Sequence, residues 1–121
     1  MKPASSRIIY KTFQPQDLQT FTTLSGDTNP IHQTQGIVHG ILLLSQFSKI
    51  AGTIMPGPGT IVYKMSNVKF NHPVYVDQEL EISLRVEKIL KNFVFVDGLI
   101  LNMDGDTLVT SELVLVVPKE N

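Results

Sequence analysis

A chain of 121 residues, 42% hydrophobic and 17% charged, has the makings of one globular domain and not of a disordered tail. Its net charge of −1, without long runs of either sign, argues against a nucleic-acid partner or an anionic membrane surface. With no cysteine there can be no disulfide or thiolate metal site, and no apolar stretch reaches the length of a membrane span.

In chain order, "RIIYKTF" (Arg7 to Phe13) is β-branched and aromatic and reads as a strand. "QPQDLQTFTTLSG" follows as a short helix. Pro15 suits its first turn and Gly26 its end, and Leu18, Phe21 and Leu24 recur at helical spacing on one face. "IVHGILLLSQFSKIAG" (Ile37 to Gly52) is apolar almost all round, which predicts a helix buried on most sides. "MPGPG" (Met55 to Gly59) is a rigid loop, and the lack of a following GK[ST] means it is no phosphate loop.

The remainder reads as four strands. The first is "TIVYKMSNVKF" (Thr60 to Phe70). In "ELEISLRVEKI", Leu80, Ile82, Leu84 and Val86 alternate with Glu81, Ser83, Arg85 and Glu87. "FVFVDGLILNM" and "TLVTSELVLVV" flank a turn at Asp104 to Asp106. The expected fold is α+β: one domain over residues 1–121, with a curved antiparallel sheet wrapped around one buried helix.

The chemistry concentrates in "SGDTNPIHQTQGIVHG", Ser25 to Gly40. Pro30 makes a continuous helix there improbable, so a turn can aim Asp27 and His32 into one space. A carboxylate and an imidazole sharing a water can move protons in both directions near neutral pH. The bland alternative is that Asp27 and Asn29 make Asx-turns and His32 is a partly exposed turn residue.

"VHG" (Val38 to Gly40) opens the predicted central helix, whose first amides have no internal partners and carry the positive end of the dipole. The Gly40 N–H could stabilise an enolate-like thioester oxygen, or Gly40 could simply permit close packing. His39 reads by default as a helix-end residue. Ser48, two turns beyond Gly40, could bond back to the helix or orient Asp27 or His32. His72, before Pro73, reads as a surface loop residue, and three histidines without regular spacing do not define a metal site.

"SGDTNPIH" followed by "IVHG" at a buried helix resembles the MaoC-like hydratases of the hot-dog fold, the (R)-specific enoyl-CoA hydratases and 3-hydroxyacyl-thioester dehydratases. The likeness continues through "MPGPGTIVYKMSNVKFNHPVYVDQELEISLRV". It implies a five-stranded antiparallel sheet around a central helix, usually paired as a homodimer. It also implies Asp27 and His32 as the catalytic pair, the Gly40 N–H as oxyanion donor and Ser48 as support for the pair, with Asn29, Val38 and His39 as possible substrate contacts. The expected activity is reversible hydration of a trans-2-enoyl thioester of coenzyme A or acyl carrier protein to the (R)-3-hydroxyacyl thioester. No metal or redox cofactor is implied. Rival readings are an acyl-thioester-binding module without turnover and a thioester hydrolase. The expected location is cytoplasmic for a bacterial protein and mitochondrial for a eukaryotic one, since "MKPASSRIIYKTF" has no secretory core.

One departure stands out. Only "QTQG" (Gln33 to Gly36) separates His32 from Ile37, where the family carries a longer segment that walls the pocket. The favoured reading is that about ten residues, two to three helical turns, belong between Gln35 and Gly36. A connection as short as it stands would instead leave the pocket open on that side.

Overall fold

The computed structural model describes residues 1–119. Five strands form one antiparallel sheet: β1 (Ser6–Thr12), β2 (Ile61–Phe70), β3 (Glu79–Leu90), β4 (Phe93–Asn102) and β5 (Thr107–Val116), in the order β1-β3-β4-β5-β2. This is the expected α+β architecture, with β1 and β2 at the edges. The alternation in β3 translates directly into burial, because successive side chains leave opposite faces of a strand. Leu80, Ile82, Leu84 and Val86 are fully buried, while Arg85 and Glu87 are exposed and paired at 2.8 Å.

Helix α1 (Pro15–Ser25) is bounded as its sequence dictates. The Asp17 carboxylate accepts the Gln14 N–H at 2.8 Å, and Gly26 ends the helix in the left-handed conformation, φ 77°, donating to the Thr22 carbonyl. Of its expected apolar face only Leu18 is buried. Phe21 is half-buried and Leu24 is 81% exposed.

Helix α3 (Gly40–Thr53) fills the concave side of the sheet. Leu43, Leu44, Phe47, Ile50 and Ala51 are buried and join the strand residues in one cluster. The helix is not covered all round, however: Ile41 is 66% exposed, and Ser45, Ser48 and Lys49 share its open side. A sheet curved around one helix covers only the side facing it. Opposite Phe47, β4 places Gly98, where an added Cβ would come within 2.9 Å of the ring. Close contact between helix and sheet here depends on that missing side chain.

The link between α1 and α3 contains a single helical turn, α2 (Ile31–Thr34). The expected extra residues between Gln35 and Gly36 are not needed. Gln35 and Ile37 both donate to the Ile31 carbonyl, and Gly36 turns the chain at φ 66° and accepts the Val76 N–H. A tight turn with a left-handed glycine closes the gap.

Candidate active site

From Gly26 the chain descends through two consecutive Asx-turns. Asp27 Oδ1 accepts the Asn29 N–H at 3.1 Å, and Asn29 Oδ1 accepts the Ile31 N–H at 3.3 Å. The Asx-turns of the bland reading are therefore present, but His32 is buried and not a partly exposed turn residue. The second Asp27 oxygen, Oδ2, faces His32 Nε2 at 3.6 Å. The Asn29 side-chain oxygen serves the turn, and its backbone carbonyl accepts the His32 N–H at 3.3 Å.

The His32 side chain is 8% exposed, the Asp27 side chain 47%. His32 Nδ1 lies 2.7 Å from the Ile37 carbonyl. A carbonyl only accepts, so Nδ1 carries a proton, and in the neutral ring Nε2 presents a lone pair towards Asp27. Two acceptors 3.6 Å apart are too far for a direct hydrogen bond, yet close enough for one water to donate to both.

Gly40 is the first residue of α3, and its N–H has no hydrogen-bond partner among the described residues. It lines, with His32, a cavity of about 410 Å³. The opposite wall comes from the β2–β3 connection, Phe70 to Val74, drawn in by the Val38 N–H bond to the Val74 carbonyl at 2.8 Å. His72 is thus exposed, as its loop position suggested, yet lies at the cavity. Val38 is buried and lines the same cavity. The Phe70 ring stands over Gly40, within 3.0 Å of where a Cβ would be. We expect Gly40→Ala to push that ring into the cavity and lower kcat/KM by about 10-fold to 10²-fold with the fold retained, because sub-ångström errors at a reacting centre are that costly. Steady-state kinetics beside a circular dichroism spectrum check it.

Two expected residues sit differently. Ser48 is exposed, about 12 Å along the helix from Gly40, and makes no hydrogen bond to Asp27 or His32 among the described residues. His39, which reads as a helix-end residue, is 2% exposed, its ring stacked on His32 with centroids 3.6 Å apart. Its Nε2 meets the Thr22 hydroxyl at 3.1 Å, and Nδ1 is buried without a partner.

Burial lowers the His39 pKa from its ordinary value of 6.5, and positive charge on His32 lowers it further, while the Asp27 carboxylate opposes both. His39 thus takes up a proton less readily in the fold than in the unfolded chain, whose ordinary value is 6.5. Acidification through that value favours the unfolded state, which binds more protons, so His39's contribution to stability is present at higher pH and lost as pH falls. Thermal melts from about pH 7.5 to about pH 5.5 should show a steeper loss for the wild type than for His39→Phe.

Asp27, His32 and His39 each offer a ligand atom within 4.8 Å of the others. A tetrahedral zinc with bonds of about 2.0–2.1 Å needs ligand atoms about 3.4 Å apart, and a metal must lie near the plane of each ligating imidazole. Two rings stacked 18° from parallel share no such point, so the trio does not fit a metal centre.

The model of the MaoC-like domain matches residues 4–97. The (R)-specific enoyl-CoA hydratase of Aeromonas caviae is 32% identical to this chain, with 89% of each chain covered. The enzyme of that name from Rhodospirillum rubrum is 29% identical, covering 98% of this chain and 89% of its own. The solved structure of the (R)-hydratase from A. caviae involved in PHA biosynthesis superimposes with a TM-score of 0.91, at 29% identity and 98% coverage of both chains. The R. rubrum alignment runs over 129 positions, whereas 98% of this chain is about 119 residues, so about ten positions of that relative face a gap here. The chain belongs to the MaoC-like domain family.

Proposed function

We propose that the protein reversibly hydrates trans-2-enoyl thioesters to (R)-3-hydroxyacyl thioesters. The observation that carries this reading is the opposition of Asp27 Oδ2 and His32 Nε2 beside a cavity that also holds the free Gly40 N–H. The hydratases named among its relatives support the substrate class.

In this mechanism one water donates to Asp27 and to the His32 lone pair, which turns its own lone pairs towards C3. Asp27 takes a proton as the oxygen bonds to C3. The π electrons of C2=C3 move onto the thioester oxygen, where the Gly40 N–H and the positive end of α3 stabilise the charge. A proton relayed through the pair then reaches C2, so that the elements of one water have been added. Dehydration is the same path reversed. The acyl carrier is coenzyme A or acyl carrier protein, and no cofactor takes part.

The test is an assay with crotonyl-CoA. Hydration consumes the enoyl absorbance without releasing thiol. Free thiol would indicate a hydrolase, and neither change would indicate a binding module; either result overturns the proposal.

A homodimer completes the reading. Edge strand β2 exposes Ile61 and Tyr63 at 67% and 68%, and pairing two such edges would cover them and remove an unpaired strand from each copy. Sedimentation at micromolar concentration should give twice the 13.5 kDa chain mass, and Tyr63→Lys should shift the population to monomer.

A further inference from the structure

We propose that His39 is a positioning residue that holds the ring of His32 and the N–H of Gly40 in one fixed relation. This inference rests on the catalytic reading of those two groups. His39 touches three parts of the site at once. Its ring lies flat on His32, 3.6 Å between centroids and 18° from parallel. Its carbonyl carbon is bonded to the Gly40 nitrogen, so any shift of its backbone moves the oxyanion donor. Its Nε2 is tied to Thr22 of α1 at 3.1 Å, and the edge of the ring packs against Phe21 of the same helix at 4.8 Å and 70°.

The site needs such a device because its two halves have no covalent rigidity between them. His32 belongs to the single turn α2 and Gly40 to α3, with a loop between. The Ile37 carbonyl selects the tautomer of His32 through a single hydrogen bond, and the imidazole's freedom to swing about its Cβ–Cγ bond would break that bond. A plate stacked on one face, itself clamped by Thr22 and Phe21, removes that freedom. His39 is suited to the task because it is flat, of the same size as its neighbour and, being buried, disfavours a charge of its own. A cation in its place would repel the charge that His32 gains when it takes a proton. The titratable groups around the stack are Asp27 and His32 from the Asx-turn segment and His72 from the facing wall; α1 contributes only Thr22 and Phe21.

The experiment compares Thr22→Val, His39→Gln and His39→Phe, all as the full chain. Steady-state turnover of crotonyl-CoA is measured beside the ¹⁵N spectrum of the imidazoles. His39→Gln, which keeps a polar group but loses the plate, should lower kcat by about 10-fold or more with KM within about twofold. It should also lose the single Nδ1–H tautomer of His32. His39→Phe, which keeps the plate and loses the hydrogen bond, should restore most of that kcat. Thr22→Val should fall between them, and it carries the test alone if His39→Gln does not fold. Folded variants with wild-type kcat and an unchanged His32 spectrum would overturn the proposal. If the wild type does not hydrate crotonyl-CoA, the proposed reaction fails, and the His32 spectrum still decides the role of His39.

Discussion

Asp27→Asn is expected to lower turnover by about 10²–10⁴-fold, the range general acid–base catalysis contributes. The substitution is unusually clean here because the two carboxylate oxygens have separate tasks. Oδ1 accepts the Asn29 N–H, and an asparagine side-chain carbonyl can do the same, so the turn and the approach to His32 survive. Oδ2 faces His32 Nε2, and an amide NH₂ in its place can only donate. The water would then lose the acceptor that takes its proton. His32→Ala should be comparably inactive, but it also leaves a hole beside His39, so its effect mixes chemistry with packing. The check is crotonyl-CoA turnover by purified Asp27→Asn whose circular dichroism and melting temperature match the wild type. A rate within a few-fold of wild type would sink the assignment.

The largest effect on stability is expected at Phe47. It is fully buried on the inward face of α3, and its ring fills the space that Gly98 leaves open on β4. Phe47→Ala should cost about 3–5 kcal/mol, the cost of removing a buried aromatic and leaving a cavity. Domains of this kind have total stabilities of about 5–15 kcal/mol, so the variant should be marginal at physiological temperature. Gly98→Ala approaches the same contact from the other side. Its methyl would lie 2.9 Å from a ring that is itself hemmed in, and overpacking of that kind costs about 1–3 kcal/mol. The pair should not be additive: Phe47→Leu should recover part of the loss in a Gly98→Ala background. Urea unfolding of the four proteins measures this. A loss below about 1 kcal/mol for Phe47→Ala would mean that the helix does not seat on the sheet through this contact.

Much of this protein is legible in its sequence, where the governing physics is local. Pro15 and Gly26 bound α1 because one fixes a helical φ and the other tolerates a left-handed one. The alternation of β3 fixes which residues face α3, because a strand has a period of two. The Asp27–Asn29–Pro30–His32 spacing carries the pair, because its Asx-turns close within two residues and need nothing distant. The departures began where a residue's environment is set by another segment. Ile41 and Ser48 look buried in an apolar run, yet one curved sheet covers only one side of the helix. His39 reads as a helix-end residue until Thr22, seventeen positions earlier, and His32 enclose it. The wall from Phe70 to Val74 has no signal in its own sequence. It reaches the site only because the Val38 N–H pairs with the Val74 carbonyl, a contact set by where the β2–β3 connection returns along the sheet. Turn chemistry and periodicity can be read along the chain; the meeting of segments thirty residues apart follows from the packing of the sheet on its helix, and only the tertiary structure decides it.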